Sequence, residues 1–594
     1  MTVSSTDYDW SPRTFGNDES LPRVPLPTLA DSCRRFLEWC APLLTEDELA
    51  HTESAVADFL APDGPGHELQ AALVEYDRSP GVHSWLDTFW PYRYLGRRDR
   101  IALNANFFFL FQPSSLGQDE RAAELIASAV DYKLKVDDEL VPPVIVRGVP
   151  QSMVQHRFLF SATRIPGQVL DTARTPYRDS WPGPSHARHI VVFWRDTPFR
   201  MDVLAPDGRP YDPEQLAAGL RSIRQTGTVV DDPTAAVGHF TTKARAEWAT
   251  SRTALLAAGN AEALDTIETA LFCVCLEDFA PVDTQEACDK LLHGDSGNRW
   301  FDKAVSFIVF ADGTAGINVE HCELDGTTIL GFTDALVSQA RTPREAPDGV
   351  PAAEPVEFVL DDTLRADARA AGESFAAYAD ATATRTVSFD FGANRAKQLG
   401  MSPDAFAQLA YQLAHWRAKG LTGATYESIA TRQYRNGRTE AMRVVTPEVL
   451  AFVAAMADQD STVDARRSAM RAAAAKHVAR AKECQAGDAP EQHLWELQLI
   501  QKRRGVDESP ALYTSPGWLI MRDDYLSTSS APSQNIQYFG FGSTSPQCIG
   551  IAYVLLPDRW NIYLSTPKHV AADMYRFADE LTKAVGELQT LLAE

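Results

Sequence analysis

The sequence predicts a mixed α/β protein made of two halves, and three observations carry that expectation. Ahead of Ala340, helical and strand patterns alternate, as they do in mixed α/β folds. From Ala340 to Glu357 the chain is rich in Pro, Ala and charge and poor in large apolar residues, which reads as a linker. Beyond it strand and helix patterns resume, and 594 residues are too many for one hydrophobic core. No internal repeat at a fixed period is present.

The elements follow from local patterns. Ala304 to Phe310 reads as a buried strand, Asp312-Gly313 as a hairpin turn, and Gly316 to Glu320 as the returning strand. His321 stands where that strand ends. Past the linker, Ser402-Pro403-Asp404 reads as a helix N-cap with Pro at the first helical position. Phe406, Leu409, Leu413 and Trp416 then recur at helical spacing. Asn535–Phe541, Ile549–Leu556 and Asn561–Ser565 read as successive strands of one sheet. A final helix carries Met574, Phe577, Leu581, Val585, Leu588 and Leu592 on one face.

Composition excludes some partners and names none. Apolar residues make up 45% of the chain and charged residues 23%, an ordinary balance for a soluble globular protein. A net charge of −24 repels a nucleic-acid backbone, so nucleic acid is not an expected partner. The start, Met1 to Thr6, is polar and lacks the cationic and apolar segments of a signal peptide. Apolar runs such as Asn106–Phe111 fall far short of the ~20 residues that span a bilayer. The cysteines Cys33, Cys40, Cys273, Cys275, Cys288, Cys322, Cys484 and Cys548 show neither zinc-site spacing nor a disulfide framework. A reduced, cytoplasmic protein without a metal or a permanently bound cofactor is the expectation.

The most informative string is Glu320-His321-Cys322-Glu323-Leu324-Asp325-Gly326, which contains His-x-x-x-Asp-Gly. His-x-x-x-Asp-Gly resembles a pattern shared by several CoA-dependent acyltransferase families, in which attack of a hydroxyl on a thioester needs a base that removes a proton and later returns it to the thiolate. Imidazole, with an ordinary pKa near ~6.5, can do both near neutral pH. With 13 histidines in the chain, about 0.05 such strings are expected by chance. A histidine taken alone is more often a plain core or surface residue.

Several further strings place this one in context. Leu291-Leu292-His293-Gly294-Asp295 and Asn298-Arg299-Trp300-Phe301-Asp302-Lys303 lead into the hairpin. Leu21-Pro22-Arg23-Val24-Pro25-Leu26-Pro27 and Thr163-Arg164-Ile165-Pro166-Gly167 lie upstream. Ala424-Thr425-Tyr426-Glu427-Ser428, Asn436-Gly437-Arg438-Thr439-Glu440, Leu526-Ser527-Thr528-Ser529 and Phe541-Gly542 lie downstream. In these strings, in their order and over nearly its whole length, the chain resembles the carnitine/choline acyltransferases.

That resemblance implies two chloramphenicol-acetyltransferase-like domains, each a mixed sheet with helices, with an active-site tunnel at their interface. Residues 75–360 would form the domain carrying the catalytic histidine. Residues 1–74 together with 361–594 would form the domain carrying the CoA and acceptor sites. Transfer would be direct, through a ternary complex rather than an acyl-enzyme, by a monomer. The co-substrates would be an acyl-CoA, or a carrier-protein thioester, and a small hydroxylated acceptor.

Residue by residue, the resemblance implies His321 as general base, Ser529 as oxyanion donor and Asp325 as an orienting carboxylate acting through Arg438. Lys397 matches one of two lysines near the CoA 3′-phosphate. The other falls at Ala393, with Arg395 between them, so one cation is lost or displaced. Asp404 matches a residue beside the pantetheine arm. Phe541 matches an aromatic that lies against the acceptor's trimethylammonium, and Phe539 falls where a bulky residue closes the acyl channel in acetyl-transferring relatives. Tyr426 and Thr439 match two of three residues that hold the carnitine carboxylate. The third, an Arg, falls at Gln492, and the loss of that charged two-pronged bond implies weak carnitine binding. Choline-type enzymes also lack this Arg, but they change the Thr as well. The alternatives are a genuine carnitine short-chain acyltransferase and a catalytically retired CoA-binding or interaction protein. The intact His321, Ser529, Tyr426 and Thr439 argue against retirement. Condensation-type enzymes share His-x-x-x-Asp-Gly but not the other strings.

Overall fold

A computed structural model of the chain describes residues 10–225, 232–506 and 509–593, and two mixed sheets organise the fold. In chain order the strands of these two sheets are β1 (Phe107–Phe111), β2 (His189–Trp194), β3 (Thr197–Asp202), β4 (Cys273–Leu276), β5 (Val305–Val309), β6 (Ala315–Val319) and β7 (Ala353–Pro355). They continue as β8 (Thr382–Phe389), β9 (Thr425–Ala430), β10 (Thr439–Arg443), β11 (Leu526–Ser530), β12 (Ile536–Phe541), β13 (Ile549–Leu555) and β14 (Trp560–Pro567). The first sheet runs β7-β3-β2-β4-β5-β6-β1-β12 and the second β8-β14-β13-β11-β9-β10. Each contains parallel pairs, β2/β4 and β4/β5 in the first and β9/β11 and β11/β13 in the second. The expected α/β architecture of two mixed sheets with helices is present.

The hairpin that ends at His321 forms as its sequence demands. β5 and β6 pair antiparallel from Val305–Val319 to Val309–Ala315, and every residue of both is buried. Asp312 Oδ1 accepts from the Thr314 amide at 3.0 Å, and Gly313 takes the φ of +84° that closes the turn. In the second half, Ser402 caps the Pro403–Lys419 helix by accepting from the Ala405 amide, and Gly420 ends it at φ +73°. The Ala571–Ala593 helix buries Met574, Phe577, Leu581, Val585, Leu588 and Leu592 against it and the second sheet.

Two expectations need correction. Asn535–Phe541 is a strand, but it does not join the sheet of the two strands that follow it. β12 crosses to the first sheet and pairs antiparallel with β1, Phe107 opposite Phe541 and Phe109 opposite Phe539. Periodicity identifies a strand but not its partner, and here aromatic packing selects it. Phe539 meets Phe109 edge-on at 5.5 Å and Phe107 at 6.1 Å. The crossed strand stays tied to the second sheet, because its Gln537 and Phe541 carbonyls accept from Asn561 Nδ2 at 2.9 Å and Ser565 Oγ at 2.7 Å. The stretch from Ala340 to Glu357 is likewise no free linker. It supplies β7, an edge strand paired with β3. The next helix, Asp362–Asp380, buries Leu364, Ala368 and Phe375 in the first core.

Near the N-terminus, helices Leu29–Cys40, Glu46–Leu60 and Pro65–Asp77 form a third apolar cluster with the Glu491–Arg503 helix, around Trp39, Leu73, Leu494 and Trp518. All eight cysteines are buried and unpaired. Among the described residues, no helix is long and apolar enough to cross a membrane, and no cluster of His, Cys, Asp or Glu is placed to hold a metal.

Candidate active site

His321 leaves the end of β6 with its ring fixed by the backbone. Nδ1 lies 2.6 Å from the Leu324 carbonyl oxygen. A carbonyl only accepts, so Nδ1 carries the proton and Nε2 presents a lone pair. Nε2 is 3.5 Å from the Tyr94 hydroxyl, too far to be taken up by a strong bond. The ring packs against Tyr94 at 4.7 Å and against the edge of Phe107 at 5.2 Å, with 27% of the side chain exposed. Burial pushes the imidazole pKa below its ordinary value; Arg438 acts the same way, while Asp325 and the Leu324 hydrogen bond oppose it. His321 is therefore neutral at neutral pH, the form a base requires.

The turn that carries His321 is clamped from the other half of the molecule. Arg438, just ahead of β10, holds Asp325 with Nη2 at 2.7 Å from Oδ1 and Nε at 3.0 Å from Oδ2. The same guanidinium donates to the carbonyls of Cys322 at 2.7 Å and His321 at 3.1 Å. It lies over the rings of Tyr94 and Trp90. Burial alone would raise the Asp325 carboxyl, but Arg438 holds it below its ordinary value. Removing one member of such a buried pair costs ~3–5 kcal/mol. Gln155 completes the clamp, donating to Asp325 Oδ2 at 2.7 Å and accepting from the Asp325 amide at 2.9 Å. On the other side of His321, Glu320 accepts from the Cys322 amide at 3.1 Å and from Arg164 at 3.2 Å. Arg164 and Arg245 share Asp171, each at 2.6 Å.

Ser529 faces the seam between the halves. In the second sheet Tyr426 aligns with Ser527 and Gly550, and Ser529 with Ala552. Thr528 Oγ1 accepts from Gln408 of the Pro403–Lys419 helix at 2.8 Å, so Thr528 points toward that helix. Alternation puts Ser527, Ser529 and Tyr426 on the opposite face. Phe541 covers that face, since a Cβ on Gly550 would lie 3.2 Å from its ring. Phe541 touches Phe539, Phe539 touches Phe107, and Phe107 touches His321, at 5.6, 6.1 and 5.2 Å between ring centroids. Among the described residues the Ser529 hydroxyl has no hydrogen-bond partner.

Thr439 shares the Tyr426 face through the β9–β10 register, which sets Tyr426 opposite Arg443 and Ala430 opposite Thr439. Gln492, on the Glu491–Arg503 helix, donates to the Thr439 carbonyl at 2.8 Å, and its Oε1 is buried without a partner. Lys397 and Arg395 are exposed on the short Ala393–Gln398 helix, and Asp404 accepts from the Tyr553 hydroxyl at 3.1 Å. No hydrogen bond, ion pair or ring contact joins these three to the His321 cluster among the described residues. Sequence reasoning paired Asp325 with Arg438 and missed Tyr94, Phe107, Gln155 and Glu320 as neighbours of the histidine. Only Glu320 lay inside a string that could have signalled it.

The chain has relatives among known proteins. The family model for choline/carnitine O-acyltransferase matches residues 24–583. The chain is 32% identical to the mitochondrial carnitine O-palmitoyltransferase 2 of Mus musculus, over 92% of this chain and 88% of the relative. It is 30% identical to the carnitine O-acetyltransferase of Columba livia, over 97% of this chain and 94% of that one. Among solved structures, a trichothecene 15-O-acetyltransferase from Fusarium sporotrichioides matches with a TM-score of 0.39 at 10% identity, covering 83% of this chain and 92% of that one. The chain belongs to the choline/carnitine O-acyltransferase family and is an acyltransferase.

Proposed function

We propose that the enzyme moves a short acyl group directly between CoA and the hydroxyl of a small acceptor, with His321 as general base. The observation that carries this reading is the Nδ1 bond to Leu324, which leaves the Nε2 lone pair free at the seam of the two halves. Nε2 takes the acceptor hydroxyl proton as the oxygen attacks the thioester carbonyl. The carbon–sulfur bond then breaks, and the proton passes from Nε2 to the CoA thiolate. Atoms and charge balance without any further co-reactant, and the reverse reaction uses the same steps. The unpartnered Ser529 hydroxyl donates to the oxyanion, a contribution of ~2.7–4 kcal/mol for one well-placed donor. Arg438, Asp325 and Gln155 position the histidine turn. Lys397 and Arg395 meet the CoA phosphates, and Asp404 the pantetheine arm.

Phe539, wedged among Phe107, Phe109 and Phe541, closes the acyl channel to long chains. The names of the relatives, palmitoyltransferase and acetyltransferase, span both chain lengths. A second reading, carnitine as the acceptor, is favoured by Tyr426 and Thr439 standing on one face.

A thiol-release assay tests the proposal, with acetyl-CoA and palmitoyl-CoA each offered to a panel of hydroxylated acceptors. The expected result is CoA release that depends on the acceptor and is faster with acetyl-CoA. Release that no acceptor stimulates would remove the transferase reading. Faster turnover with palmitoyl-CoA would remove the role given to Phe539.

A further inference from the structure

Two arginine side chains near the acceptor residues have no hydrogen-bond partner among the described residues. Both stand on the ring of Trp495, one turn along the helix from Gln492. The Arg522 guanidinium lies 3.5 Å from the ring centroid and that of Arg93 lies 5.0 Å from it. Arg522 Nη1 is buried without an acceptor, and its nearest carboxylate oxygen, Glu491 Oε1, is 3.8 Å away. Arg93 has neither a hydrogen bond nor an ion pair among the described residues. It lies over Tyr94 at 5.6 Å, the tyrosine beside His321 Nε2.

The carboxylates that would neutralise them are already engaged. Arg443 holds Glu491 through two bonds of 2.6 Å and Asp524 through one of 2.5 Å. Arg443 and Arg522 thus share these two carboxylates, and Arg93 adds a third positive charge at the Trp495 ring, a local excess in a chain of net charge −24. A ring face attracts a guanidinium but leaves its N–H groups unsatisfied, and an orphaned buried donor costs ~1–3 kcal/mol. Burial also draws the Arg522 pKa down to about 10, so it remains charged at neutral pH. Arg443 lies over the Tyr426 ring at 5.8 Å, which puts the cluster on the acceptor side of the second sheet. Lys397 and Arg395 belong to the elements on its other side.

We propose that Arg522 and Arg93 together bind a carboxylate of the acceptor, making the substrate a small hydroxylated carboxylate held by cations other than the one missing at Gln492. The proposal rests on the transferase reading above. Guanidinium forks match a carboxylate in geometry and charge, and the Trp495 face keeps both forks in place. The weak carboxylate binding expected from Gln492 alone is thereby reversed.

Three acceptors that share a hydroxyl test this: 3-hydroxybutyrate carries a carboxylate, carnitine a carboxylate and an ammonium, and choline an ammonium only. The wild type is expected to favour the two carboxylates over choline. Arg522→Gln and, independently, Arg93→Gln are expected to raise KM for the carboxylates by about 10-fold or more, as loss of a charged hydrogen bond does. KM for choline should rise far less, and kcat should change little. Equal losses on choline, unchanged carboxylate KM values, or a rise confined to KM for acyl-CoA would each overturn the proposal. Calorimetric titration of 3-hydroxybutyrate into the CoA-bound protein reads the site without turnover. Binding that Arg522→Gln abolishes, in a protein that transfers to none of the three, would keep the anion site and remove the transferase reading. No binding and no transfer would overturn both.

Discussion

A single backbone carbonyl decides which nitrogen of His321 can act as a base. Leu324 takes the Nδ1 proton, and the lowered imidazole pKa keeps Nε2 unprotonated at neutral pH. Ser529 stands across the seam, and among the described residues its hydroxyl has no hydrogen-bond partner. Ser529→Ala is expected to lower kcat about 10²–10³-fold with little change in KM, because the bond is made in the transition state. Unchanged kcat would reduce Ser529 to an ordinary strand residue. His321, Asp325 and Arg438 were legible in the sequence because each lies in a short string whose spacing carries meaning. Tyr94 and Gln155 reach the same site from 227 and 170 residues away from their partners. Arg93 and Arg522 likewise converge on Trp495 only through folding. Such contacts have no spacing to read.

At the scale of elements, local chemistry is what sequence reports well. Asp312-Gly313 announces the hairpin, Ser402-Pro403 announces a helix, and both form where expected. Pairing between distant strands is what it reports badly, and β12 shows why. Its alternation fits either sheet, while its true partner, β1, lies more than four hundred residues upstream. Two glycines make the crossing possible. A Cβ on Gly540 would lie 2.3 Å from the Phe108 ring, and one on Gly542 would lie 1.9 Å from the Leu103 carbonyl oxygen. The second obstacle is backbone, so no rotamer change relieves it. Gly542→Ala is expected to destabilise the protein by ~1–3 kcal/mol, as overpacking does, and to lower transfer as well. Thermal melting checks this. A variant that melts with the wild type would show that the strand end is not pinned at Leu103.

For the whole molecule, the two halves share their site rather than merely enclose it. The first supplies the histidine and the second supplies Arg438, which grips the histidine turn at Asp325, Cys322 and His321 itself. β12 belongs to the second half by sequence and to the first sheet by pairing. Two halves were legible from length and from mixed strand and helix patterns on both sides of Ala340, although Ala340–Glu357 itself proved to be part of the first sheet's edge. Their interlocking was not, because the crossed strand and the β7 edge read as ordinary local segments. The measurement that bears most directly on this design is turnover by His321→Ala, taken alongside its melting curve. The expected result is a ~10²–10⁴-fold loss of acyl transfer with melting unchanged, the contribution a general base makes. A well-folded His321→Ala protein that keeps more than about a tenth of wild-type turnover would contradict it.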